Sequence, residues 1–195
     1  MLAKLMQYSD IDDAFLTDLG LGDLVDAKLS TNKSITPKSS GVCLEINGSH
    51  PLDLLSGISY HFYGDEDDVV SKSISNLTNK SRVCHLTFSL DPVQVPVVQS
   101  VYISSADAAI ELIRSTVEHF DVFVFDSVPM IISDQEKSDS LCDATAKGIM
   151  KSLSSLSDLA RELKVTLVFL NHERDGRVYM SEKVRAFTTT DIRIL

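Results

Sequence analysis

Strands apolar on both faces, alternating along the chain with amphipathic helices, make this an α/β protein with a mainly parallel central sheet flanked by helices. The run DVFVFDSV stays apolar until it ends in an acid, as a strand covered on both sides must. VTLVFLNH has the same form, and between the two lies CDATAKGIMKSLSSLSDLARELK. That segment is long and amphipathic, which suits the right-handed crossover joining two parallel strands.

The remaining elements follow in order. Residues 1–35 are expected to form a helical arm and linker, and residues 36–195 the core. In SDIDDAFLTDLGLGDL, Ser9 is a suitable N-cap, and Asp10, Asp12 and Asp13 fall near the positive end of a helix. Ile11, Phe15, Leu16 and Leu19 follow helical spacing, and Gly20 is a stop. STNKSITPKSSG, punctuated by Pro37, reads as the linker. VCLEI predicts a short strand, PLDLLSGISYHFY a helix or a helix running into a loop, and DVVSKSISNLTNKS a polar helix. RVCHLTFSL and VQSVYIS predict strands. SADAAIELIRSTVEHF predicts a helix beginning at Ser105 or Ala106, with Ala109, Leu112, Ile113 and Thr116 on one face. Asp175-Gly176 signals a tight hairpin turn, and TTTDIRIL a last strand.

Composition narrows the function. At 195 residues, 44% hydrophobic and 24% charged, the chain has the makeup of a globular protein with a substantial core. It has no apolar run of the roughly 20 residues that cross a bilayer, and no signal-like start, so the expected location is cytoplasmic. Cys43, Cys84 and Cys142 make no metal or disulfide pattern and read as structural thiols. GDEDD, Gly64 to Asp68, reads as a solvated loop or helix start, so neither metal nor cofactor is expected. A net charge of −10 repels phosphate backbones and argues against a protein that coats DNA unaided.

The endings of the strands carry a resemblance. An apolar strand closing in Asp126-Ser127, a long helix, then a strand closing in Asn171-His172, in that order, resemble the RecA recombinase family and its phage relatives. GVCLEINGS looks like the family's strand entering the phosphate loop, and TTTDIRIL like its closing strand. The resemblance spans about residues 36–195 and implies a RecA-like core. It also implies a bacterial or phage-infected cell.

On that resemblance the nucleotide machinery is degenerate. A phosphate loop needs G-x-x-x-x-G-K-[ST]. Gly48 stands at its first glycine, but Asp53 replaces the second, Leu54 the lysine and Leu55 the hydroxyl residue, with Ser56 one position late. The family's water-activating glutamate falls near Phe88 and Ser89, with Asp91 close by in a turn. Asp126 and Ser127 remain, and Asp126 reads as a strand-end residue bonded to neighbouring backbone. His172 replaces a glutamine that links nucleotide state to the DNA loop in the family, and reads as a satisfied strand-end residue. The two regions matching DNA loops mix cations with acids: Lys137 and Lys147 in the first, Arg174, Arg177, Lys183 and Arg185 in the second.

The expectation is a non-catalytic accessory or regulatory protein of DNA recombination or repair. It would contact a recombinase, a related subunit or itself, with Ile11, Phe15, Leu16 and Leu19 of the arm as the contact residues; the alternative for that helix is a flap over its own core. A single-stranded DNA-binding module and an unconventional Mg²⁺-dependent NTPase are the alternatives.

Overall fold

The computed structural model describes residues 37–45, 51–65, 68–90, 98–131, 142–178 and 181–194. The proposed arm and Gly48, Asp91 and Lys137 lie outside the described residues. The first elements among the described residues are β1 (Ser39–Leu44) and β2 (Leu52–Leu55), which pair antiparallel. The main sheet then collects β3 (Ser59–Asp65), β4 (Val83–Thr87), β5 (Gln99–Tyr102), β6 (Val122–Asp126), β7 (Thr166–Arg174), β8 (Arg177–Val178) and β9 (Thr190–Arg193). Its order is β5-β4-β6-β7-β3-β9, parallel throughout, and β8 folds back antiparallel on the far end of β7.

Between the strands run α1 (Val69–Ser75), α2 (Ala106–Thr116), α3 (Cys142–Leu163) and α4 (Ser181–Arg185). Ser105 caps α2, its hydroxyl accepting from Ala108 N–H at 3.2 Å. Among the described residues no helix is long and apolar enough to cross a membrane.

Period-two alternation sorts the strands into two faces. Tyr60 and Phe62 of β3, Val122 and Val124 of β6, and Val168 and Leu170 of β7 join one core. The hairpin (Val42, Leu44, Leu54) and α1 (Val69, Val70, Ile74) complete it. The opposite face carries Phe123, Phe125 and Phe169, all fully buried, the last two with ring centroids 5.2 Å apart. There Ser59 Oγ donates to Ser157 Oγ of α3 at 3.4 Å. The runs expected to be buried on both sides, β6 and β7, are the centre of the sheet.

PLDLLSGISYHFY corrects the sequence reading. It forms β2, a turn and β3 instead of a helix. Gly57 at φ 78° breaks any helix there, and Ser59 to Phe62 are buried on both faces as a central strand requires. β1 therefore pairs with β2 outside the parallel sheet, and among the described residues no helix lies between it and β3.

Candidate functional site

Open α/β sheets bind ligands outside the carboxyl ends of their strands, where neighbouring strands send the chain in opposite directions. This sheet has two such places. β4 leads outward to β5 while its neighbour β6 leads the other way to β7. β7 leads past β3 to β9, while β3 leads back past β7 and β6 to β4.

The hairpin overturns the expected phosphate-loop roles of Asp53, Leu54, Leu55 and Ser56. Leu54 is fully buried in the core, Leu55 N–H donates to the Tyr60 hydroxyl at 3.0 Å, and Ser56 N–H donates to the Lys38 carbonyl at 2.7 Å. Asp53 is exposed and accepts from Ser39 Oγ at 2.7 Å. Residues 52–55 are thus strand, with alternate side chains in the core, and no phosphate can sit among them.

The strand-to-helix turn of the main sheet lies after β3 instead. Laid there, the phosphate-loop pattern puts Gly64 first, Val69 at the second glycine, Val70 at the lysine and Ser71 at the hydroxyl. Both valines are buried in the core. Ser71 Oγ donates to the Asp68 carbonyl at 3.2 Å, and Lys72 pairs with the Asp68 carboxylate at 2.9 Å. Asp65, Glu66, Asp67 and Asp68 occupy the intervening positions, Glu66 and Asp67 outside the described residues. Gly64 is held for another reason: a Cβ on it would lie 2.6 Å from the Ile194 carbonyl oxygen.

At the other switch point β6 ends in Asp126, which is joined to Ser127 by a cis peptide bond. The Asp126 backbone carbonyl accepts from Phe88 N–H at 3.3 Å, and its side chain is 15% exposed. His85, fully buried on β4, places Nε2 3.6 Å from the Asp126 carboxylate, longer than a hydrogen bond, while its Nδ1 meets Ser100 Oγ at 3.1 Å. The carboxylate thus faces an imidazole. Thr87 is buried and accepts from Ser89 N–H at 3.1 Å. On β7, Asn171 Oδ1 accepts from His172 N–H at 3.0 Å. The His172 Nδ1 is buried without a hydrogen-bond partner among the described residues, so its expected satisfaction fails at that atom. Among the described residues no cluster of three His, Cys, Asp or Glu side chains could hold a metal.

Three arginines meet beyond the carboxyl ends of β3, β7 and β9. A cavity of about 530 Å³ is lined by Tyr63, Glu173, Arg177, Arg185 and Arg193 together with Gly176, Val178 and Ser181. The β7–β8 hairpin expected at Asp175-Gly176 forms its rim, both turn residues taking positive φ. Arg193 pairs twice with Glu173, at 2.9 and 2.8 Å. Arg185 pairs with Asp191, whose other oxygen meets the Nδ1 of fully buried His61 at 2.9 Å. Burial pushes the Asp191 carboxyl up, but the bonds from His61 and Arg185 outweigh it and hold the group below its usual range.

Of the basic residues anticipated from sequence, Arg177 and Arg185 meet in this cavity. Arg174 is the β7 partner of Arg177 in the hairpin. Lys183 lies on α4 outside the lining, and Lys147 is exposed on α3. Tyr63, Glu173 and Arg193 went unrecognised. Parity could have found them, because β3 pairs His61 with Asp191, Tyr63 with Arg193 and Asp65 with Glu173. Compared with known protein families and with curated proteins, the chain matches none.

Proposed function

We propose that this chain is a RecA-like accessory or regulatory protein of DNA recombination or repair, acting through protein contacts and without nucleotide. The observation that carries the reading is the turn from β3 into α1. In the position where a parallel-sheet protein cradles a phosphate, four carboxylate residues precede two core valines, and the nearest lysine is engaged by Asp68. An anion there meets like charge and no glycine-rich backbone. α1 has only seven residues, which limits its dipole, and its N-cap residue Asp68 adds a negative charge there.

Contact surfaces remain. Leu90, Tyr102 and Met130 are 84%, 50% and 52% exposed. They sit at or just past the carboxyl ends of adjacent strands β4, β5 and β6. Large apolar side chains gathered in one region favour a protein partner. The arm residues Ile11, Phe15, Leu16 and Leu19 are the other candidate contact.

Sedimentation of the full chain, alone and mixed with a recombinase from the same cell, tests the proposal with and without ATP. Association should be independent of nucleotide bound to this chain, and Phe15→Ala should weaken it about tenfold or more, as loss of a buried aromatic anchor does. Association that requires ATP on this chain, or ignores Phe15→Ala, contradicts the reading.

A further inference from the structure

We propose that the cavity lined by Tyr63, Glu173, Arg177, Arg185 and Arg193 binds a phosphate monoester, carried either by a free mononucleotide or by the end of a nucleic-acid strand. The site adjoins the turn after β3, since Tyr63 precedes Gly64, but its lining takes in none of residues 64–71, and nothing in the proposed function requires it.

The charge is local and unusual for the molecule. The chain carries a net −10, yet three guanidiniums line one concavity against the single carboxylate of Glu173. Gathering like charges costs free energy unless something else holds them or a ligand answers them. Glu173 and Asp191 hold two of them. Arg193 spends Nε and one Nη2 hydrogen on Glu173, and Arg185 spends Nε on Asp191. A guanidinium has five N–H donors, so both retain unused ones. Arg177 is exposed and has no ion-pair partner among the described residues. The cavity therefore holds two guanidiniums fixed by carboxylates with donors to spare, and a third with no such partner among the described residues.

Geometry chooses the ligand. The three arginines come from three elements, β8, α4 and β9, so they approach from different directions. A planar carboxylate is satisfied by one bidentate fork, whereas a phosphate monoester presents three terminal oxygens to several. The volume, about 530 Å³, is in the range of small-ligand sites and exceeds what a bare phosphate fills. Tyr63 in the lining supplies a ring on which a base can stack, or a hydroxyl for a sugar.

Calorimetry with the full chain tests this using thymidine 5′-monophosphate and thymidine as probes. The monophosphate should bind and thymidine should not. Arg177→Ala, at an exposed position, should weaken binding by about tenfold or more, and Arg177→Lys should recover only part, because an ammonium lacks the fork. Equal binding of the two probes, no binding of the monophosphate at millimolar concentration, or indifference to Arg177→Ala overturns the proposal. A second arm compares a 5′-phosphorylated oligothymidine with its 5′-hydroxyl twin by fluorescence anisotropy. Preference for the phosphorylated strand over the mononucleotide assigns the site to strand ends. Equal affinity for both phosphorylated probes assigns it to the free ligand. Any ATP binding is sorted by the same variant: loss with Arg177→Ala belongs to this cavity, and survival counts against the nucleotide-independent reading instead.

Discussion

Asp191→Ala should unfold the protein at a measurably lower temperature, and the structure sets the size of the effect. His61 is fully buried, with Nδ1 2.9 Å from Asp191 and Nε2 unbonded among the described residues. Removing the carboxylate leaves both ring nitrogens unsatisfied in the interior, which costs about 1–3 kcal/mol. The Arg185 pair adds less, because its guanidinium side chain is half exposed and screened by water. In a chain of this length each kcal/mol moves Tm by about 2–4 °C, so the expected drop is roughly 2–12 °C.

Asp191→Asn keeps an acceptor and should lose less. The pH dependence has a definite sign. A carboxyl held below its ordinary value contributes stability that is present above about pH 4 and is lost as pH falls through the lower folded value. The difference in Tm between wild type and Asp191→Asn should therefore be widest near neutrality and close below about pH 4. Thermal melts followed by circular dichroism from pH 7 to pH 3 provide the comparison. A Tm for Asp191→Ala within about 1 °C of wild type at pH 7 would refute the reasoning, as would a gap that persists in acid.

Three further outcomes are expected. Gly64→Ala should cost about 1–3 kcal/mol, since its Cβ would meet the Ile194 carbonyl at 2.6 Å, and amide exchange in β9 should accelerate; unchanged exchange would contradict the close approach. Ser105→Ala removes the cap of α2 and should lower stability in urea by about 0.5–2 kcal/mol, with an unshifted midpoint denying the cap its role. Cys84 is 1% exposed and burial pushes its thiol up to about 12, so iodoacetamide at pH 8 should leave it unmodified in the native protein and alkylate it in urea; rapid native labelling would rule this out.

Sequence was informative where burial was one-sided in its demands. β6 and β7 were legible because a strand covered on both faces permits only apolar residues, and α2 because Ser105, Ala109 and Ile113 mark a cap and one buried stripe. β3 was not legible. SYHFYGD is a central strand whose two faces carry different chemistry, Tyr60 and Phe62 into one core and His61 toward Asp191 on the other. The histidine and serine in it obscured the continuous apolar signal.

Missing β3 moved the expected phosphate loop one element upstream, onto a hairpin. It also hid the arginine cavity, whose residues share a face only once β3 is placed beside β7 and β9. Arg177 and Arg185 stood out by composition, whereas Arg193 was absorbed into a strand ending. Non-local pairing, not local propensity, brings these residues together.

The central claim, a RecA-like sheet without nucleotide, is tested most directly by titrating ATP with Mg²⁺ into the full chain carrying Arg177→Ala, in which the arginine cavity is weakened. The account predicts no saturable heat up to millimolar ATP, because four acids and two buried valines stand where a phosphate would be held. A micromolar dissociation constant, abolished by Asp126→Ala, would contradict it and make Asp126 the magnesium ligand of a working site.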